Sequence, residues 1–270
     1  MCIRDRVASE HGAAFSSQAT TTGNEGLDQL LGGGLTPGTN TLLIGPSGVG
    51  KTTTAIFCIR TALDRGAKAT YFLFDEGLST LLLRCKALGM DLAPYIERGD
   101  LDIQQIDPAE LSPGEFTSRA RVAVEQGGSS YVCIDSLNAY LQAMPGEQYL
   151  LLQMHELLNY LNQSGITTML ILGQHGLVGD IRTDVDLSYL SDTILLFRFF
   201  EAKATVRAAI SVVKSRTSYH ERSIREFKLG DNGLEVGEPL RDFDGVLSGL
   251  PSYKGDTTLL VPSPNARPAE

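Results

Sequence analysis

Gly45-Pro46-Ser47-Gly48-Val49-Gly50-Lys51-Thr52 matches the phosphate-binding loop G-x-x-x-x-G-K-[ST] at every fixed position. The glycines let consecutive backbone N–H groups turn inward around a triphosphate. Lys51 adds a point charge, and the Thr52 hydroxyl is placed to ligate Mg²⁺. The flanks agree with this reading. Residues 41–44, Thr-Leu-Leu-Ile, form an apolar run expected as a buried strand, and residues 53–62 read as the helix leaving the loop. These residues, with Thr53 at the start of the helix, predict a nucleoside triphosphate site.

The 270 residues, 42% hydrophobic and 20% charged, suffice for one good core and an appendage. A formal net charge of −9 supplies no basic stripe for a phosphate backbone, so nucleic acid is disfavoured as a partner. Cys2, Cys58, Cys85 and Cys133 show no C-x-x-C pairing and sit mostly in apolar runs. They read as reduced, buried thiols of a cytoplasmic protein. No stretch has the length of a membrane span or the core of a signal peptide, so no membrane role is expected.

Met1 to Arg6 resembles translated adapter sequence and is expected to be non-native, with an upstream domain missing; residues 1–19 read as a linker or N-terminal arm. From Thr21 onward, strand and helix patterns alternate. Strands are expected over 70–74, 101–106, 131–134 and 168–172, with helices through 81–88 and from Ser112 toward Val124. Ser112-Pro113-Gly114-Glu115 supplies Ser at the N-cap, Pro at the first helical position and Glu at the third. A helix over 147–162 places Leu150, Met154, Leu157, Leu158 and Leu161 on one stripe, which reads as core. Segments 193–200, 206–214 and 223–229 then follow as strands without helices between them. The pattern predicts an α/β fold: a mainly parallel sheet flanked by helices, with antiparallel strands at one edge. The domain that carries the phosphate loop is placed at 20–236. Residues 237–270 read as a C-terminal extension whose last ten residues are disordered.

Phosphoryl chemistry also needs a second Mg²⁺ contact and a group that orients or deprotonates water. Asp135 ends the buried strand 131–134, at the edge where ligands bind in open α/β sheets, and is assigned to Mg²⁺. Asp75 and Glu76 end the strand 70–74, so one is expected to face the γ-phosphate and the other to face away. A solvated strand-to-helix turn is the alternative. Gln174 is placed to sense the γ-phosphate, with His175 behind it. Lys214 and Arg216 alternate along a strand and project to one face. The loop already occupies their own sheet, so their expected target is the nucleotide of a neighbouring subunit.

Thr22-Gly23 with Leu27-Asp28, Gly32-Gly33-Gly34, Asp75-Glu76, Ile134-Asp135-Ser136-Leu137 and Lys214-x-Arg216 with His220 together resemble the KaiC group of RecA-type P-loop ATPases over about 21–236. Ile224-Arg225-Glu226-Phe227 is closer to the C-terminal ATPase half of tandem KaiC proteins. The resemblance implies ATP as the nucleotide and a self-assembled ring, a homo-hexamer with nucleotide between subunits. It also implies an upstream tandem ATPase domain. It assigns Glu76 as the catalytic glutamate and Asp75 as the acid beside it. Lys214 and Arg216 act in trans, and His220 contacts ATP near the interface. Two positions depart from the family. The acidic pair is commonly Glu-Glu, and the Ser-Thr pair that clock proteins autophosphorylate is Ser188-Tyr189 here, which leaves Ser188 as the candidate phosphosite. The partner that receives the signal is not legible in these residues.

Two other readings share the loop. A recombination or helicase motor on DNA needs a basic channel segment, whereas residues 176–187 set Arg182 against Asp180, Asp184 and Asp186. A non-catalytic assembly module would not need Lys51, Glu76 and Asp135 together.

Overall fold

The computed structural model describes residues 18–107, 109–142, 150–174, 188–202, 204–230, 233–247 and 251–254. In chain order the elements are α1 (Glu25–Leu31), β1 (Asn40–Pro46), α2 (Lys51–Asp64), β2 (Ala69–Leu73), α3 (Leu78–Ala87), α4 (Ala93–Glu97) and β3 (Leu101–Gln105). Next come α5 (Pro113–Glu125), β4 (Tyr131–Asp135), α6 (Leu137–Gln142), α7 (Leu150–Gln163) and β5 (Thr167–Gln174). A 3-10 turn at Ser188–Leu190 leads into β6 (Thr193–Ala202), β7 (Thr205–Ser215), β8 (Arg225–Gly230) and β9 (Gly233–Pro239). A small ribbon of β10 (Phe243–Asp244) and β11 (Ser252–Tyr253) follows.

Among the described residues, the main sheet runs β3-β2-β4-β5-β1-β6-β7-β8-β9. Every pairing from β3 across to β6 is parallel, and β6 through β9 pair antiparallel. This is the mainly parallel sheet with an antiparallel edge that the sequence pattern implies. β1 lies between β5 and β6, so the strand that feeds the phosphate loop is buried on both edges.

The two-residue period of a strand divides the core. Leu43, Tyr71, Leu73, Cys133, Met169 and Ile171 face α1, α2 and α3. Leu42, Phe72, Val132, Ile134, Leu170 and Leu172 face α5 and α7. The α7 stripe Leu150, Met154, Leu157, Leu158 and Leu161 is buried, as its spacing requires, and Ser112 caps α5 by accepting from the Glu115 N–H at 3.2 Å. Cys58, Cys85 and Cys133 are free thiols, all buried.

The Thr22-Gly23 and Asp28 signature is a structural clasp. One Asp28 carboxylate oxygen accepts from the Thr22 N–H at 2.8 Å and the Thr22 hydroxyl at 2.6 Å, and the other from the Thr21 hydroxyl. Gly32 ends α1 at φ 74°, where a Cβ would meet the Tyr219 carbonyl oxygen at 1.8 Å. Only glycine lets residues 218–221 lie this close to α1. Ser218 donates to the Leu31 carbonyl and the Glu221 N–H to the Leu30 carbonyl, both at 3.1 Å.

Two features differ from the sequence pattern. β9 continues the sheet through residue 236, where loss of periodicity places the domain boundary, because its ladder with β8 runs on to Arg225↔Pro239. β7 stops at Ser215, so Lys214 and Arg216 do not alternate along one strand. The ladder with β6 begins at Thr193↔Ser215 and leaves Arg216 just outside it. The expectations for residues 1–17, for His175 and the 176–187 segment, and for the last ten residues lie outside the described residues.

Candidate functional site

At the C-terminal ends of the parallel strands, a cleft of about 770 Å³ is lined by residues that include Ser47, Gly48, Gly50, Lys51, Thr52, Thr53, Asp75, Glu76, Arg84, Asp135, Asn138 and Gln174. This is where an open α/β sheet binds its ligand. A smaller hollow of about 390 Å³ beside Arg60, Tyr95 and Arg98 contains none of these groups.

The phosphate loop takes the left-handed backbone that its glycines permit. Gly48 and Gly50 take φ 77° and 106°; a Cβ on Gly50 would come within 2.8 Å of Leu229 and Phe227 side-chain carbons, whereas Gly48 faces open space. α2 runs 14 residues from Gly50, with no side-chain cap and no acidic residue in its first turn. Its leading N–H groups and the positive end of its dipole therefore fit an anionic phosphate. Gly45 and Pro46 contribute carbonyl oxygens, which accept from the Lys51 ammonium at 2.9 and 2.7 Å. Val49 is instead a core residue, 3% exposed. Burial lowers the Lys51 pKa to about 8, against the pull of Asp135 and then Asp75 in the other direction.

Strand parity puts Tyr71, Cys133 and Asp135 on the α2 side of the sheet, with Leu73↔Asp135 and Tyr71↔Cys133 in register. Asp135 therefore meets the start of α2. Its Oδ2 accepts from the Thr52 hydroxyl at 2.7 Å and from the Tyr71 hydroxyl at 2.6 Å. Burial raises the Asp135 pKa; the two hydroxyl donors oppose this, and Asp75 and Glu76 add to it. A hydroxyl and a carboxylate side by side at a phosphate loop are hard oxygen donors of the kind Mg²⁺ takes together with phosphate oxygens.

Asp75 and Glu76 both line the cleft, although one was expected to face away, because the chain leaves β2 there and has not yet begun α3. Asp75 accepts from the Ser136 hydroxyl. Glu76 is held by Arg84, which donates Nη1 to Oε2 at 3.0 Å and Nη2 to Oε1 at 2.6 Å. Gln174 ends β5 and accepts from Arg198 Nη1 at 2.9 Å, while the Arg198 Nε is buried without a partner. Asn138 clamps the end of β5: its side chain donates to the Gly173 carbonyl at 3.0 Å and accepts from the Gly173 N–H at 2.6 Å.

Lys214, Arg216, His220 and Ser188 lie elsewhere. Lys214 donates to the Ser191 carbonyl at 2.6 Å. Arg216 lies 3.8 Å from Asp192, whose other oxygen accepts from the Asn40 N–H at 3.0 Å at the start of β1. The loop begins at the other end of that seven-residue strand, roughly 20 Å away at the usual rise per residue. Ser188 opens the 3-10 turn directly before β6, on the same side as Asn40. His220 is half-buried in the segment packed on α1.

The model of the KaiC ATPase family matches residues 20–241. The chain belongs to the KaiC ATPase family. The KaiC circadian clock oscillator proteins of Synechococcus elongatus and Prochlorococcus marinus are 26% and 27% identical to it, over 88% and 87% of this chain and 46% and 47% of theirs. Circadian clock protein KaiC3 of a Synechocystis species is 26% identical over 86% of this chain and 46% of its own length. The chain spans about half the length of the curated relatives it matches, and they support a KaiC-like, ATP-binding ATPase domain. Among the described residues, no helix is long and apolar enough to cross a membrane.

Tyr71, Arg84, Asn138 and Arg198 are missed by motif reading. Tyr71 had one available signal: on a strand paired in parallel with β4, it shares the parity of Asp135. Tyr71→Phe removes one of the two hydroxyl donors to the buried carboxylate without opening a cavity. It should lower unfolding free energy by about 1.5–3 kcal/mol, the value of a hydrogen bond to a charged acceptor. Urea denaturation of the nucleotide-free protein measures the loss. The effect should shrink when Asp135→Asn is already present.

Proposed function

We propose that this chain hydrolyses ATP with Mg²⁺ as a domain of a KaiC-like ring, a homo-hexamer with nucleotide at subunit interfaces, in a cytoplasmic signalling or regulatory role. The supporting observation is the convergence in one cleft of an uncapped α2 N-terminus, buried Lys51, the Thr52–Asp135 pair and the acids Asp75 and Glu76. The same proposal includes an upstream tandem ATPase domain.

Bound Mg-ATP supplies the phosphoryl group to be transferred and a cation that spreads the charge of its oxygens. The loop N–H groups and Lys51 hold the phosphates. Thr52 and Asp135 hold the metal, and Tyr71 fixes the direction of the Asp135 carboxylate. Glu76 takes the proton of the attacking water, Asp75 sits beside it with Ser136, and Gln174 reads the γ-phosphate from the end of β5. The low exposure of Asp135 and Lys51, 6% and 7%, strengthens each of these charge interactions.

The separation along β1 supports a role in trans for Lys214 and Arg216, with His220 at the same interface. Cations at the start of β1 are a strand length from their own phosphate loop, which favours a neighbour's nucleotide as their target. Ser188 shares that side of the sheet, which supports it as the acceptor of a serine autokinase activity.

Glu76→Gln should leave ATP affinity unchanged and lower turnover by about 10²–10⁴, the usual contribution of a general base. Steady-state phosphate release together with equilibrium binding of an ATP analogue measures both. A larger loss in Asp75→Asn than in Glu76→Gln would reverse the roles of the two acids.

Arg216→Ala should keep ATP binding and lose roughly 10³ in rate, the lower end of what a cation acting in trans supplies. Subunits carrying Arg216→Ala mixed with subunits carrying Lys51→Ala should recover part of the activity. No recovery in mixtures shown to co-assemble would contradict the arrangement in trans.

A further inference from the structure

Glu76, proposed above as the base, has neither carboxylate oxygen free of a guanidinium. Arg84 donates one N–H to each of them, at 2.6 and 3.0 Å, in the planar fork geometry that only arginine provides. The pair closes the turn from the end of β2 onto the last turn of α3. Leu81 and Cys85, one helical turn apart, are the buried residues that seat α3 on the core. Arg84, Ala87 and Leu88 occupy the neighbouring stripe at i, i+3 and i+4, and all three line the cleft. Arg84 is thus delivered to the site by the same packing that fixes the helix.

Among the described residues, the cations lining the cleft are Lys51 and Arg84, against the carboxylates Asp75, Glu76 and Asp135. Lys51 is committed to two loop carbonyls and lies within the influence of Asp135 and Asp75. Arg84 is the cation assigned to Glu76. A carboxylate accepts a proton through an oxygen lone pair. A guanidinium on both oxygens engages those lone pairs and fixes the plane in which they lie. The side chains are 22% exposed for Glu76 and 39% for Arg84, so water and salt weaken the pair and it can open.

We propose that Arg84 is a positioning residue that restrains Glu76, so that opening of the ion pair limits turnover. The proposal rests on Glu76 being the base. The restraint acts on the chemical step and leaves nucleotide affinity alone, because Arg84 holds the carboxylate and not the phosphates.

The test compares Arg84→Gln and Arg84→Lys with the unaltered chain for kcat, KM and equilibrium affinity for an ATP analogue, each also in a Glu76→Gln background. Arg84→Gln should raise kcat by about two- to fivefold, the factor a partly exposed ion pair can impose. Affinity should not change, and the gain should vanish with Glu76→Gln. Arg84→Lys, which keeps the charge but not the fork, should fall between. Thermal midpoints of the nucleotide-free proteins give a second measure. The shifts from Glu76→Gln and Arg84→Gln should not add, because either change alone removes the pair. A fall in kcat at unchanged affinity would overturn the proposal by making Arg84 an aid to the base. Weakened affinity would overturn it by moving Arg84 onto the phosphates, and additive midpoints would overturn it by removing the pair. Loss of activity in Glu76→Gln with any of these results leaves the base in place and overturns the restraint alone. Unaltered turnover in Glu76→Gln overturns both.

Discussion

Asp135 is a carboxylate taken almost wholly out of water, and one of its oxygens receives both the Thr52 and the Tyr71 hydroxyl. These bonds tie β4, β2 and the start of α2 to one atom. An isolated charge buried this deeply would be expensive, and the donors that offset the cost are the groups that set the geometry of the phosphate loop. The sheet order serves this contact. β1 must lie near β4 for the loop to reach Asp135, and β5 alone separates them. The same strand parity that sends Asp135 toward α2 sends Val132 and Ile134 into the opposite layer, so the site and the core depend on one register.

The remaining acids and cations divide between two ends of the sheet. Asp75, Glu76 and Gln174 gather with the loop at the C-terminal ends of the parallel strands. Lys214, Arg216 and the turn carrying Ser188 gather near Asn40, at the start of β1. A single copy cannot bring these groups to one phosphate. In the ring proposed above, one subunit's second set would meet its neighbour's first, and assembly and chemistry would then depend on each other.

Much of this was readable from the residues. The phosphate loop fixed its own strand and helix, since glycines, lysine and threonine at that spacing have little other use. The α7 stripe was visible because five apolar side chains repeat at helical spacing over a length that a strand does not reach. Short α1, α4 and α6 were not named because 5–7 residues carry too little periodicity to separate from a loop. β9 was not named as a strand, and the domain boundary was placed at Val236, because the residues there show little periodicity; yet the edge strand runs from Gly233 to Pro239 and tolerates a terminal proline. The Glu76–Arg84 pair spans eight positions, outside the spacings at which one helix brings side chains together. It exists because a strand end and a helix flank are packed side by side. Lys214 and Arg216 were recognised as a pair, but their distance from their own loop needed the sheet order.

Equilibrium binding of a fluorescent ATP analogue with Mg²⁺, compared between the unaltered chain and Lys51→Ala, tests the central assignment most directly. The cleft should take the analogue saturably, one per chain, and Lys51→Ala should abolish this binding while its circular dichroism stays native. Equal affinity in a folded Lys51→Ala protein would contradict the assignment of the loop as the ATP site.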